Sequence, residues 1–456
     1  MSSEHGIGGD PEEALRLAER VIYAAEKAGA GEAEALVVAG ESALTRFANS
    51  EIHQNVASAE AFVNLRFVNG RRVGVASSGR IDEEGIGALV ERAAAIAAHV
   101  EELEEWAGLP SADPPVTLHG GWSERTAHAT PELRAEGARA VIAAADDAGV
   151  TAYGSFSTDA EAIAVANSKG IRAAERRSSS QLLTVTMGPD NGTGYAEQCA
   201  VDATAIDAAA IGREAAERAR TSAKPVDIEP GDYPVVLQDY AVVDLLDMLG
   251  YLGFSALAVQ EDRSFFERGR QVASPLVTIT DDGHDPAGLP MGFDAEGVPK
   301  QRLGLIEKGI CCEVVYDAET AARDGRRSTG HGLPAPNPYG PFPTNMVMAA
   351  GDASFEDLVG GLDRGLLVTR FHYTNPVHGK RVIITGMTRD GTFLVEGGKV
   401  VGPVRNLRFT MSYLDALANV EAVSRERRCI RGFLGGSVVP SVRLSSFSFT
   451  GATAAG

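Results

Sequence analysis

The segment from Ala61 to Ala76 constrains the fold most, because it predicts a pair of antiparallel strands. Apolar and polar residues alternate from Ala61 to Val68, in the sequence AFVNLRFV, as expected for a strand with one buried face. Asn69-Gly70 follows, and this pair favours the tight turn that joins two antiparallel strands. Arg72 to Ala76 is then the returning strand, and Asp82 begins a helix predicted to reach Glu105. The early part of the chain is therefore a small α–β unit.

Composition divides the sequence into three predicted domains. A disordered tail at residues 1–10 precedes an N-terminal α–β domain at 11–108, and a loop rich in proline and glycine leads to a central α–β meander domain at 122–223. Residues 230–451 are mostly strand candidates, interrupted by one strongly apolar helix from Tyr240 to Ala258. The predicted fold class is therefore α+β, with N-terminal α/β units followed by a large, mostly antiparallel β C-terminal domain that holds the apolar helix.

Shorter patterns predict individual strands and turns. Ala35–Ala39 and Leu44–Ala48 are predicted as two separate strands, and Gly309–Tyr316 as a third. Asp390-Gly391 and Gly397-Gly398 have the composition of hairpin turns, because both positions of such a turn favour residues that accept a positive φ. Each of these assignments depends on local sequence alone, and strand pairing tests it.

The charge balance argues against several classes of partner. The 456 residues include 42 Lys and Arg against 62 Asp and Glu, for a net charge of −20. A surface this acidic repels phosphate backbones and anionic lipids, so neither nucleic acid nor membrane is an expected partner. No apolar run approaches the roughly 18 residues of a membrane-spanning helix, and no secretory signal is visible. Four cysteines without a Cys-x-x-Cys pair add to the expectation of a reducing, cytoplasmic location.

Standard catalytic motifs are missing from the sequence. It contains no Gly-x-x-x-x-Gly-Lys-Ser/Thr for phosphate binding and no Gly-x-Ser-x-Gly for a serine nucleophile. Zinc peptidases place two histidines on one helix face, with a glutamate beside the first as general base. None of the nine histidines is followed by glutamate, so the sequence has no local helical zinc motif. This pattern does not test ligands that are scattered along the chain.

Two histidine-containing segments are candidates for a substrate groove. In Ser328-Thr-Gly-His331, the histidine is a candidate for binding a substrate carbonyl or for acid–base chemistry. The alternative is a loop histidine bonded to a backbone carbonyl. Tyr373, with His372 and His378, follows a predicted strand, and the three side chains either line a groove, hold a metal or form a polar turn between strands. The sequence leaves these alternatives open.

Seven segments match the pattern of one protein family in their order and spacing. They are Phe67–Ser78, Val272–Gly283, Phe293–Pro299, Ile306–Ile310, Ser328–His331, Gly365–Thr369 and Gly391–Lys399. Together they make the chain resemble the TldD/PmbA peptidases, a family also called modulators of DNA gyrase. The resemblance extends from the first hairpin to the last strands, so it implies a relationship over the whole chain.

This family has two kinds of chain, and the resemblance assigns the present one to the PmbA/TldE-like branch. A TldD-like chain carries His-Glu-x-x-x-His on a helix and binds zinc, whereas a PmbA-like chain lacks the motif and pairs with the first. Here the corresponding helix spans 241–253, and Asp244, Leu245 and Leu249 stand where the motif residues would be. Leucine has no lone pair for a metal, so the resemblance implies no cofactor in this chain and zinc in the partner chain.

The function that the resemblance implies is the non-catalytic subunit of a heterodimeric zinc metallopeptidase. A TldD-like partner would supply the metal. The substrates would be short or unfolded peptides, including modified peptide natural products or their leaders. Such a peptide could be held as an added strand at a sheet edge of the last domain, where this chain would form one wall of a closed chamber.

Two other functions stay open at this point. One is an autonomous peptidase with a non-standard metal site built from His331, His372, His378 and Cys429, the last of which lies where a TldD-like chain carries its third zinc ligand. The other is a regulatory binding protein of the gyrase-modulator type, for which the sequence shows no regularly spaced acidic stripe. The metal content of the pure protein would distinguish the first from a non-catalytic subunit.

Overall fold

The computed structural model of the chain describes residues 9–114 and 118–452. Residues 1–8 of the predicted disordered tail therefore lie outside the described residues. In chain order, the elements of the first half are α1 (Pro11–Lys27), β1 (Glu32–Ala48), β2 (Glu51–Asn69), β3 (Arg72–Ser78), α2 (Glu83–His99), α3 (Glu124–Ala127), α4 (Pro131–Asp147), β4 (Thr151–Asn167), β5 (Arg172–Met187), β6 (Thr193–Ala200) and α5 (Ala208–Thr221).

The first sheet has six antiparallel strands in the order β3-β2-β1-β4-β5-β6. Strand β1 pairs with β2 on one side and with β4 on the other. Because β4 follows the loop that begins after residue 108, both α–β units contribute to one continuous sheet. The strands predicted at Ala35–Ala39 and Leu44–Ala48 are two parts of β1, since its pairing with both neighbours continues through the residues between them.

Close packing of helices on this sheet depends on small residues. Helix α1 begins after Asp10, whose carboxylate accepts a hydrogen bond from the main-chain N–H of Glu12 at 2.9 Å. The buried faces of α1 and α2 form one apolar cluster with the sheet. Helix α2 passes so near β3 that a Cβ atom at Gly74 would lie 2.0 Å from the Ala93 carbonyl oxygen. The position of α2 therefore requires glycine at this crossing.

The second half of the chain forms the C-terminal domain. In chain order, its elements are β7 (Gly231–Leu237), α6 (Asp239–Leu252), α7 (Ala256–Gln260), β8 (Ile279–Asp281), β9 (Leu303–Glu307), β10 (Ile310–Cys311), α8 (Ala318–Arg323), β11 (Met346–Met348), α9 (Phe355–Gly360), β12 (Arg364–His378), β13 (Ile383–Glu396), β14 (Lys399–Pro403), β15 (Leu407–Ser412), α10 (Tyr413–Ala418), β16 (Val420–Arg431) and β17 (Gly436–Ala452). Across the described ranges, no helix has the length and hydropathy needed to cross a membrane.

The apolar helix predicted from Tyr240 to Ala258 consists of two helices, α6 and α7. They separate at Gly253, where a Cβ atom would lie 1.9 Å from the Phe265 ring. Helix α6 is buried along most of its length and packs against β12 and β17. The close contact with Phe265 ends the helix and turns the chain toward α7.

Five strands of the C-terminal domain close into a ring. Its sheet has the order β10-β9-β8-β11-β17-β15-β13-β12-β7, with β14 and β16 off this path, and β17 pairs with β7 as well as with β15. Aromatic side chains from three of the ring strands meet. The Phe371 and Phe409 ring centroids lie 4.6 Å apart, and Phe447 lies 5.3 Å from Phe409. The first sheet is covered by helices, and the C-terminal domain consists mostly of strands. This arrangement confirms the predicted α+β class.

Two of the three predicted hairpin turns are confirmed, and one is wrong. Asn69-Gly70 leads from β2 to β3, and Gly397-Gly398 joins β13 to β14 with φ values of 55° and 73°. Asp390-Gly391 lies inside β13 instead, where the two residues oppose Thr369 alone and form a β-bulge. The strand predicted over Gly309–Tyr316 is regular only in β10, and the rest of it leaves the sheet.

Candidate functional site

A cleft separates the first sheet from the C-terminal domain, and three neighbouring cavities lie along it. Their volumes are about 670, 460 and 230 Å³. One wall consists of β5 with parts of β1 and β4, and the other consists of residues 289–300 with the turn between β16 and β17. The two smaller cavities share Arg177, Met291 and Leu434. Residues from both parts of the chain therefore form this candidate site.

Strand β5 presents a free edge to the largest cavity. Within the described residues, β6 pairs with β5 only from Ser180 onward, so the earlier part of β5 has no strand on that side. The main-chain N–H of Ser178 points away from β4 and donates to the Gly121 carbonyl at 2.9 Å. Directions alternate along a strand, so the N–H groups of Arg176 and Ala174 point the same way as that of Ser178. An extended chain placed in the cavity would lie beside the N–H groups of Arg176 and Ala174.

Charged and aromatic side chains hold both walls of this cavity. The Arg176 guanidinium lies 4.5 Å from the Trp122 ring centroid and donates to the Glu124 carboxylate at 3.3 Å. Across the cleft, the main-chain N–H of Gly292 contacts the two carboxylate oxygens of Glu175 at 3.1 and 3.0 Å. Strand β5 is thus tied both to the segment before α3 and to the C-terminal domain, which sets the width of the cleft.

The candidate residue His331 lies in a buried network at the wall of the smallest cavity. Its Nε2 atom is 2.8 Å from a carboxylate oxygen of Asp281, and its Nδ1 atom is 2.9 Å from the Thr329 hydroxyl. The Nζ atom of Lys300 lies 3.3 Å from the same Asp281 oxygen and donates to the Thr344 hydroxyl at 3.0 Å. Both ring nitrogens of His331 therefore have partners, and its side chain is fully buried.

Burial and charge set the protonation states in this network. Burial by itself would raise the pKa of Asp281, but the Lys300 ammonium and the His331 ring hold it well below its usual range. Burial, and then the Lys300 charge, lower the pKa of His331, so the ring is neutral near pH 7. A neutral histidine with both nitrogens bonded fits a role in positioning β8 better than a role as a free acid or base.

Of the other predicted groove residues, Ser328 lies near His331, whereas His372, Tyr373 and His378 lie on β12. The Ser328 hydroxyl accepts from the Gly330 main-chain N–H at 3.2 Å and donates to a carbonyl, so it stabilises a local turn. Tyr373, with half-buried His372 and exposed His378, lies on the outer part of β12, which pairs there with β13. The polar-turn alternative for this segment is wrong, because the strand continues to its last residue. The five candidates thus form two separate groups.

The three positions of the degenerate zinc motif lie on α6, and their surroundings do not fit a zinc ion. The Asp244 carboxylate accepts hydrogen bonds from the Tyr413 hydroxyl at 2.6 Å and from the Thr374 hydroxyl at 2.7 Å. Burial raises the pKa of Asp244 despite these bonds. Leu245 and Leu249 are fully buried in the apolar core. One carboxylate with both oxygens bonded, together with two leucines, cannot supply the ligands of a zinc site.

Asp247, which sequence reasoning did not single out, is the residue of α6 that meets the cleft turn. A Cβ atom at Gly432 would lie 2.5 Å from its Oδ1 atom, so the turn between β16 and β17 packs directly on this carboxyl group. Burial, and then the nearby Asp244 charge, raise the pKa of Asp247 to about 7. Burial also raises the pKa of Glu197 to about 7. Two aspartates three residues apart in an apolar helix were the signal that could have found this position.

Two residues of the alternative metal site, His331 and Cys429, contact other side chains. His331 is bonded to Asp281 and Thr329, and the Cys429 sulfur lies 2.9 Å from that of Cys199. Among residues 9–114 and 118–452, no group of three His, Cys, Asp or Glu side chains is arranged to hold a metal ion. His331 and Cys429 therefore already have bonded partners among the described side chains.

Comparison with known proteins places the chain in a family. Three models match it: the PmbA/TldA metallopeptidase domain 1 at residues 33–97, the central domain at 124–223 and the C-terminal domain at 230–451. The chain is 30% identical to a metalloprotease TldD homolog of Haemophilus influenzae over 48% of this chain and 46% of that protein. It is 24% identical to metalloprotease PmbA of Escherichia coli O157:H7 over 52% and 50% of the two chains. The chain thus spans about half the length of the curated relatives it matches.

A solved structure shares the fold over nearly the whole chain. TldE from Thermococcus kodakarensis superimposes with a TM-score of 0.88 at 22% identity, and the match covers 95% of this chain and 100% of that one. The three family models together cover most of the present sequence. The resemblance predicted from the sequence is therefore confirmed, and the chain belongs to the TldD/PmbA metallopeptidase family.

Proposed function

We propose that this chain is the non-catalytic subunit of a heterodimeric zinc metallopeptidase of the TldD/TldE type. The observation that carries the proposal is the environment of α6, where Asp244 is bonded to two hydroxyls while Leu245 and Leu249 lie in the apolar core. A zinc peptidase needs three protein ligands and a general base at one place. A family member without that set can take part in peptide cleavage by pairing with a chain that has it.

In the proposed complex, the two chains have different tasks. A TldD-like partner with a His-Glu-x-x-x-His helix binds zinc and supplies the activated water. The present chain contributes one wall of the substrate chamber and part of the interface. Its His331 network keeps β8 in place, while the free edge of β5 faces the cleft.

Short or unfolded peptides are the proposed substrates, held on the free edge of β5. An extended peptide can add to a sheet edge through main-chain hydrogen bonds, which place little demand on its sequence. The cavity along this edge has a volume of about 670 Å³. We prefer β5 to an edge of the last domain, because β5 lines the largest of the three cleft cavities. The family resemblance is the basis for including modified peptide natural products or their leaders.

The first test compares three samples: this chain, a TldD-like chain from the same genome, and their mixture. The mixture is expected to elute as a heterodimer, to contain stoichiometric zinc and to cleave an unfolded peptide until a chelator is added. This chain alone is expected to contain no stoichiometric zinc and to cleave nothing. Stoichiometric zinc in this chain alone, with chelator-sensitive cleavage, would contradict the proposal.

The second test addresses the β5 edge in the assembled pair. Ala174→Pro removes one outward main-chain N–H at an exposed edge position, where proline is tolerated. Peptide KM is expected to rise several-fold while kcat and heterodimer formation stay unchanged. Ala174→Ser keeps the N–H and is the matched control, with the KM of the unmodified pair. Equal KM values for the two variants would place the peptide elsewhere.

A further inference from the structure

We propose that Cys199 and Cys429 form a thiol–disulfide modification site that can link the first sheet covalently to the C-terminal domain. Their Sγ atoms lie 2.9 Å apart, although 230 residues separate them in the sequence. Both are free thiols in this structure. Two cysteines can be joined without large backbone movement only when the fold already brings them together, and this pair meets that condition.

Each cysteine lies on a strand that is hydrogen-bonded to an adjacent strand. Cys199 is in β6, opposite Gln181 of β5, and Cys429 is in β16, opposite Val438 of β17. Gly436 leaves room for the Cys429 thiol, because a Cβ atom at that position would lie 3.2 Å from its sulfur. Both strands are paired independently of the thiols, so the contact is a consequence of how β6 packs against the β16–β17 pair.

Accessibility makes the pair selective toward an oxidant. Cys199 is buried, whereas Cys429 is half-buried, so a small oxidant reaches Cys429 first. The hydrogen bond with Cys429, and then burial, raise the pKa of Cys199, which keeps it a thiol until its partner has reacted. Burial raises the pKa of Cys311 to about 11, and its neighbour Cys312 donates to the Ile310 carbonyl. Those two cysteines are therefore natural controls.

The oxidation balances with a small-molecule disulfide such as oxidised glutathione. The Cys429 thiolate attacks one glutathione sulfur, so a mixed disulfide forms and one glutathione leaves as a thiol after taking up a proton. Cys199 then loses its proton and attacks the Cys429 sulfur, which releases the second glutathione. Two Sγ–H bonds are exchanged for one Sγ–Sγ bond, and the oxidant is reduced by two electrons to two thiols. A dithiol reverses both steps.

The bond would lie beside the cleft and limit how far its walls can separate. Arg431, two residues after Cys429, already crosses to the first sheet and donates to the Ser179 hydroxyl at 2.6 Å. Arg431 and Ser179 both line the second cavity. A disulfide would make this crossing permanent under oxidising conditions. The modification depends only on this chain, so its test is independent of the proposed pairing with a zinc-binding partner.

The test is a direct search for the cross-link in the full-length chain. The reduced protein is incubated with oxidised glutathione, alkylated, digested without reduction and examined by mass spectrometry. The expected result is a peptide pair that joins Cys199 to Cys429, with a fall in alkylatable thiols from four to two. The thermal midpoint should rise and return to its starting value after dithiothreitol.

Matched variants keep the test decisive. The double variant Cys311→Ser, Cys312→Ser should form the same cross-link, while Cys429→Ser should lose it and leave the other three thiols alkylatable. Because the main measurement uses the unaltered chain, a variant that fails to fold does not affect it. Two outcomes would overturn the proposal: four alkylated cysteines in oxidised, folded protein, or a glutathione adduct on Cys429 that Cys199 never resolves.

Discussion

Replacement of Asp281 by asparagine tests how much the buried network of His331 contributes to stability. The Asp281 side chain is completely buried, and its carboxylate contacts the His331 Nε2 atom at 2.8 Å, the Asn345 main-chain N–H at 2.8 Å and the Lys300 Nζ atom at 3.3 Å. Asparagine has nearly the same size and can still accept from Asn345. It removes the negative charge, so Lys300 loses its closest carboxylate in a buried place.

The structure sets the size of the effect. Removing one partner of a buried ion pair costs about 3–5 kcal/mol, because the remaining charge stays buried. With a urea m-value of about 3 kcal/mol/M, the unfolding midpoint should fall by roughly 1–1.7 M. The low folded-state pKa of Asp281 means that its contribution is present above its unfolded pKa, about 3.9, and is lost as pH falls through the folded value. At pH 7 the Asp281 contribution is fully present, so Asp281→Asn should show its whole destabilising effect there.

The assay is urea unfolding at pH 7, followed by circular dichroism, with the same substitution at a surface ion pair as control. Asp262 is exposed and pairs with Lys380, so Asp262→Asn should change the free energy of unfolding by less than about 1 kcal/mol. A midpoint for Asp281→Asn that matches the Asp262→Asn midpoint would refute the reasoning. It would show that Lys300 is neutral or is stabilised well enough by its other contacts.

Two further predictions concern α6 and the first sheet. The raised pKa of Asp247 means that folding favours its protonated form, so the chain should lose stability as pH rises from the unfolded pKa of about 3.9 to the folded pKa of about 7. Asp247→Asn should lose less stability over this range, and equal shifts of the urea midpoint between pH 5 and 8 would contradict the prediction. Gly74→Ala should lower the free energy of unfolding by about 1–3 kcal/mol through its clash with Ala93, whereas Gly87→Ala, in open space on α2, should raise it by up to about 1 kcal/mol. Thermal unfolding checks the pair, and shifts of the same sign would contradict it.

Local structure is predictable from this sequence where a short pattern has its own physical cause. Alternation before Asn69-Gly70 and the two glycines at Gly397-Gly398 predict hairpins that the structure contains. Asp390-Gly391 has the same composition but forms a bulge, because β12 continues opposite it. The sequence thus predicts a positive φ, but it does not predict the neighbouring strand that decides between a turn and a bulge.

Long-range pairing explains why the rest of the fold could not be predicted. Strand β1 joins β4 across more than a hundred residues, for example through Glu34 and Asn167. The alternation pattern shows which face of a strand is buried but not which strand lies beside it. The single sheet shared by the first two α–β units therefore appears only in three dimensions.

The candidate site shows the same division between what is local and what is not. The order of the motifs was enough to predict the family, and the missing zinc motif on α6 is visible in the sequence. The surroundings of His331 were not predictable, because Asp281 lies 50 residues away and Lys300 belongs to another segment. His331, a candidate catalytic residue, is a buried side chain with bonded partners. On α6, Asp247 lies beside the turn between β16 and β17, whereas Asp244 is bonded to Tyr413.

The ring in the C-terminal domain has a consequence for how the protein is made in the cell. Strand β17, which completes the ring, leaves the ribosome some two hundred residues after β7, its neighbour through the pairing of Leu444 with Val235. Until β17 has been synthesised, β7 and β15 each lack one of their two neighbouring strands. The six-stranded sheet ends at residue 200 and has no such dependence. A growing chain therefore has all strands of the six-stranded sheet before the ring can close, and the unpaired strand edges of the open ring favour aggregation in that interval.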